Sequence, residues 1–149
     1  MRQLFSFDDR PFEGLGLGSL ANCAEDIDTH VFMKSASILD TIVGWLEREE
    51  LDIKRESARV VAGLLSSREI HPHIIQHGGL DSLILLSGLD SCEECRYLTA
   101  LSFHKLTPSP TSHETLIHDG LKNIMSLIKD VQRDTRKHAV SALRDLSSN

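Results

Sequence analysis

Aromatic side chains are scarce in this sequence, at 5% of residues with a single Trp and a single Tyr. The strands of a β-sandwich draw on Tyr, Phe, Trp and Thr, so this scarcity favours helices packed through Leu, Ile, Ala and Val. Cysteine is also sparse, three residues in 149, an odd number that makes poor material for a disulfide framework. No apolar run approaches the roughly 18 residues that a spanning helix needs. Residues 1–10 lack an apolar signal core ahead of Asp8 and Asp9. A cytoplasmic or nuclear location is therefore the expectation. There is no basic excess either: the formal net charge is −6 and the sequence pI about 5.7. Nucleic acid needs a basic surface and is not the expected ligand. Enzyme signatures are missing too, with no phosphate loop leading into Lys-Ser/Thr, no G-x-S-x-G elbow and no H-E-x-x-H. Gly14-Leu15-Gly16-Leu17-Gly18 follows no strand and opens no Rossmann unit, so it reads as a flexible segment. Neither an enzymatic activity nor a cofactor is expected.

What is present is a folded-domain composition, 40% hydrophobic and 26% charged, arranged in a repeat. Leu39-Asp40-Thr41-Ile42-Val43, Leu80-Asp81-Ser82-Leu83-Ile84 and Leu121-Lys122-Asn123-Ile124-Met125 are three versions of one segment, with first residues 41 apart twice. A second segment runs in step with it: Ala58-x-x-Val61-Ala62-x-x-Leu65 matches Ala139-x-x-Ala142-Leu143-x-x-Leu146, with a degenerate middle copy from Thr99 to Leu106. A weaker third element precedes the first, His71 to Gly78 against Ser112 to Asp119, and His30 to Ser35 is its expected first copy. Apolar spacing at i, i+3 and i+4 within each copy predicts amphipathic helices. The punctuation agrees. Ser91-x-x-Glu94 reads as a capping box, residues 107–112 as a Pro-rich break, and Gly78-Gly79 and Gly120 as sharp turns. One such unit cannot bury its own apolar faces, so the units must stack.

The sequence here resembles the armadillo repeat, whose units of roughly 40 residues hold a short first helix, then a second and a third. Gly79-Leu80-Asp81-Ser82-Leu83-Ile84-Leu85-Leu86 and Gly120 to Ile128 look like its glycine-led second helix, and His138 to Leu146 like its third. The resemblance implies an all-α fold, an α-solenoid of about three armadillo-type repeats wound as a right-handed superhelix, with HEAT repeats as the near alternative. It covers residues 25–149, divided at 25–67, 68–108 and 109–149, and leaves 1–24 as an irregular extension or cap. It further implies a groove lined by the third helices, where a protein partner binds as an extended or helical segment. Carried over by position, the groove residues are Val60, Leu64, Leu101, Lys105, Ser141 and Asp145. Importin-like members carry Trp and Asn at such positions. None stands there in this chain, and its one Trp, Trp45, falls on a second-helix segment. Arg55, Arg96 and Lys137 suggest a basic stripe suited to an acidic partner.

Other constellations carry less. Cys92-Glu93-Glu94-Cys95 has no second CxxC, and a helix of about 15 Å separates it from His71, His73 and His77, so no metal is expected. His77 and His118 lie 41 apart, and stacking could align such His residues along one pH-sensitive edge. Phe5, Phe7 and Phe12 in the extension are expected to cap the first repeat. The last third helix has no polar cap after it, so the alternative function is a segment of a larger assembly, joined end to end through its repeat ends.

Overall fold

A computed structural model of the chain describes residues 36–88 and 92–148. The expected cap at 1–24, the first copy at His30 to Ser35 and the capping residue Ser91 lie outside the described residues. Among the described residues every regular element is a helix. α1 is Ala36–Leu46 and α2 Leu51–Leu64. A 3-10 turn at Arg68–Ile70 leads into α3, His71–Gln76, followed by α4, Gly79–Leu86, and α5, Glu93–Leu106. α6, Pro110–Thr115, passes through a π turn at Leu116–Gly120 into α7, Leu121–Leu127, and α8 is Arg133–Ser147.

The elements form stacked units. α1 and α2 belong to the first, α3 to α5 to the second, and α6 to α8 to the third. α1 packs on α4, α4 packs on the π turn that leads into α7, and α5 lies between α2 and α8. One continuous apolar core runs through all of them, with Leu39, Ile42, Trp45, Leu65, Leu80, Leu83, Phe103, Leu106, Leu116, Ile124 and Ala142 each buried to within about a hundredth of full exposure. The i, i+3, i+4 pattern explains which face is turned inward: on α4 it is Leu80, Leu83 and Leu86. Pro110 opens α6 at a position where a missing N–H costs nothing. α5 differs from the expectation at its start. Its N-cap is Cys92, whose Sγ accepts the Cys95 N–H at 3.2 Å, in place of a serine hydroxyl.

The joint between first and second helices is built in two ways. Gly78 has φ +83°, a left-handed conformation that glycine adopts without strain, and it turns α3 into α4. At the matching place in the third unit stands Asp119, and there the chain uses the π turn instead.

Side-chain hydrogen bonds repeat with the units. His71 Nε2 bonds the Leu65 carbonyl at 2.6 Å, and Ser112 Oγ donates to the Leu106 carbonyl at 2.6 Å, each six residues on from a final leucine. Ser82 Oγ donates to Glu47 on the preceding unit at 3.0 Å. Asn123, one period later, donates to the Ile84 carbonyl at 3.0 Å and Ser87 Oγ at 2.9 Å. These bonds fix the rotation of each unit on its neighbour, which apolar contact alone leaves loose.

Glycine is required at 79 for space. A methyl group there would lie 2.6 Å from Ile74 Cγ2 and 2.9 Å from the Ile74 carbonyl oxygen. Gly44, inside α1, has nothing within 4 Å of that position. Gly79→Ala is expected to destabilise by about 1–3 kcal/mol through overpacking. Gly44→Ala is expected to stabilise by about 0.5–1 kcal/mol through helix propensity. Urea midpoints of the two variants against the parent check both signs.

Candidate interaction groove

The third helices α2, α5 and α8 line up side by side, and the six groove positions fall on them with unequal access. Val60 and Leu64 are 0% exposed. They are core residues of the first unit and cannot touch a partner, which corrects their assignment to the groove. Their apolar side chains gain more by burial than a groove position could offer. Leu101 is half-buried and packs on the core, and Ser141 is half-buried on α8.

Lys105 and Asp145 bridge the units. Lys105 Nζ donates to the Ala62 carbonyl at 2.6 Å and to Ser66 Oγ at 2.9 Å. Burial holds its ammonium below the usual lysine pKa. Asp145 Oδ2 accepts from Thr107 Oγ1 at 2.9 Å. In both cases the residue before a final leucine reaches the hydroxyl just after the previous one. The two side chains form a ladder across the third helices, and each is already engaged within the chain.

The basic stripe is likewise absorbed. Arg55 pairs with Asp52 at 2.9 Å and Glu94 at 3.4 Å, and Arg59 pairs with the same Glu94 at 2.6 Å. Arg96 Nε lies 2.6 Å from Asp130, with the two side chains only 13% and 5% exposed. Removing either member of so dry a pair strands a charge, at a cost of about 3–5 kcal/mol. Only Lys137 of the three positions is exposed. Arg55 and Arg96 therefore join units together and do not form a stripe open to an acidic partner.

Beside these positions on α5 and α8 stand three further side chains that meet one another. His104 Nδ1 on α5 lies 3.1 Å from His138 Nδ1 on α8, with ring centroids 5.4 Å apart. Tyr97 meets the His138 ring edge-on at 5.6 Å. All three are half-buried. Tyr97, Leu101 and Lys105 follow one another at i, i+4, and His104 lies beside Lys105. Extending that helical stripe from Leu101 is the sequence signal that would have found them. A hydrogen bond between two Nδ1 atoms needs one ring to donate and the other to accept, so both cannot carry a proton there.

The other His and Cys residues have separate roles. His71 is buried, bonding Ser109 Oγ and the Leu65 carbonyl, and burial lowers its pKa. His77 bonds Asp40, and His113 the Thr107 carbonyl. His118 is exposed, and the imidazole contact described is between His104 and His138. The buried Cys95 thiol is pushed up to about 12 by desolvation and by its hydrogen bond to Cys92, which makes it a poor nucleophile. Among the described residues no three His, Cys, Asp or Glu converge on a metal-sized site.

The pKa of His138 is lowered, first by burial, then by His104, Lys137 and Lys105, against a raising effect from Asp134. His71 and His138 both bind a proton less readily folded than unfolded. Their contribution to stability is therefore full above the unfolded value, about 6.5, and is lost as pH falls below it. The urea midpoint is expected to hold from pH 8 to 7 and to drop from 6.5 towards 5.5, with a shallower drop in His138→Gln. An unchanged slope in that variant would remove the pair from the account.

No family model matches the chain. Solved structures do match its fold. A designed armadillo repeat protein superposes at TM-score 0.89 with 17% identity, covering 97% of this chain and 62% of its own. A computationally designed armadillo repeat protein for modular peptide recognition gives 0.89, with 18% identity over 96% of this chain and 61% of that one. A third, designed and in complex with the peptide (KR)4, gives 0.86, with 18% identity over 97% and 62%. The chain thus spans about three fifths of the length of these structures. Unit length, helix order and superposition agree, and the chain has the armadillo-repeat fold, an all-α solenoid.

Proposed function

We propose that this protein is a protein-binding scaffold without enzymatic activity, in the cytoplasm or nucleus, which holds an extended or helical peptide segment against the wall formed by α5 and α8. The observation that supports this reading most is the strip of half-buried side chains Tyr97, Leu101, His104, His138 and Ser141. It combines aromatic area with donors and acceptors still reachable from solvent, the composition that recognition surfaces favour. One of the structures sharing this fold is a complex with a peptide. The first unit contributes less to such a wall, since Val60 and Leu64 are closed. A second reading, a segment of a larger assembly joined through its unit ends, is favoured by Met125 and Val140, which are 53% and 47% exposed.

Peptides selected by display against the folded protein test the groove. Ser141→Arg, alone and with Leu101→Arg, is expected to weaken them by about tenfold or more. Lys122→Glu on α7 is expected to leave them unchanged. Selected peptides that bind all the variants alike would place recognition elsewhere.

A further inference from the structure

The contacts that join the units predict what the far side of the third unit is shaped to receive. In the second helices, Val43 Cγ2 lies 3.4 Å from where a methyl on Gly79 would sit, and Ile84 Cδ1 3.4 Å from where one on Gly120 would sit. Met125 is the next member of that series, one period after Ile84, and it is 53% exposed. The third helices show the same step. Aligned on their final leucines, Val140 stands where Ala100 does and Leu143 where Phe103 does. Ala100 and Phe103 are 0% exposed, whereas Val140 is 47% exposed and Leu143 half-buried. Ile117, Leu121 and Met125 floor an open depression of about 510 Å³ rimmed by His118, Lys122 and Lys129.

Charge follows the same register. At each internal junction the earlier unit supplies arginine and the later one a carboxylate: Arg55 and Arg59 to Glu94, then Arg96 to Asp130. On α8 Arg136 holds the corresponding place and bonds the Asp130 and Val131 carbonyls of its own unit, and Lys137 beside it is exposed, as are Lys122 and Lys129.

We propose that the open face of α7 and α8 docks a further helical unit of the same build, from a partner that lays a glycine-led helix against Met125 and sets a carboxylate opposite Lys137. The interface would continue the two already present in the chain, apolar at its centre and acid–base at one edge. A second copy of this chain is a poor occupant. Two such faces would bring lysines together, and the first unit's Leu39, Ile42, Trp45 and Leu64 are already fully buried. The proposal deepens the assembly reading and is independent of the groove.

The probe is the full chain extended after Asn149 by a second copy of residues 109–149, one 41-residue period, which sets a copy of Gly120 against Met125 and a copy of Asp130 near Lys137. Stacking is expected to raise Tm by about 4 °C or more in a single transition and to slow amide exchange in α7 and α8. Met125→Asp is expected to abolish the gain in the extended chain while shifting the parent little, since the side chain is exposed. Lys137→Glu should reduce the gain, and Asp→Lys at the copied position 130 should restore it. Two separate transitions with no added protection of α7 would overturn the proposal. So would sedimentation of the parent as a dimer in which Met125 becomes protected, because the face would then belong to a second copy. Peptide binding in the groove, measured on the same proteins, is expected to be unaffected, so that failure here and failure of the groove reading are told apart.

Discussion

A missing side chain sets the spacing of this molecule. At Gly79 a single added carbon would run into Ile74, and Val43 of the preceding unit already stands at van der Waals distance. At Gly120, Leu116 and Ile84 close in similarly, at 3.3 and 3.4 Å. Glycine lets α4 close on Ile74 of its own unit, while Val43 and Ile84 of the preceding units stand at ordinary contact distance, and the third helices are carried along. The ladders from Lys105 to Ser66 and from Asp145 to Thr107 then close at hydrogen-bonding length. Were the second helices held further apart, those polar groups would be left facing partners out of reach, at a desolvation cost of about 1–3 kcal/mol each. Close packing and polar register are therefore a single constraint met twice.

Much of the fold was legible because it is periodic. Repetition at 41 residues separates a stacked solenoid from an arbitrary set of amphipathic helices, and helical spacing within each copy selects the buried face. The start of α5 is less legible, because Cys92 takes the capping role that hydroxyl side chains such as the neighbouring serine ordinarily fill.

The groove was harder to read, for a physical reason. Position in a repeat tells which helix face a residue occupies, but not how much of that face its neighbours leave open. Val60 and Leu64 have the right register and are covered. Lys105 and Asp145 have the right register and are spent on neighbouring units. Arg96 looks like a solvated charge at a helix start until Asp130, 34 residues later, is brought beside it. The His104–His138 contact spans the same separation, and nothing local to either residue announces it.

The rungs that connect neighbouring units join residues 34 to 43 apart. The connections absorb a one-residue difference, since the final leucines Leu65, Leu106 and Leu146 are 41 and then 40 apart, but a residue inserted within α5 would turn the rungs on one side of it out of step together. Loss of the whole middle unit would instead bring Asp145 to Ser66, hydroxyl to carboxylate, much as Thr107 meets it now. The architecture can thus lengthen or shorten by complete units, and by single residues in the joints, while resisting edits inside a helix: a grammar in which words and the spaces between them can change and the letters within a word cannot.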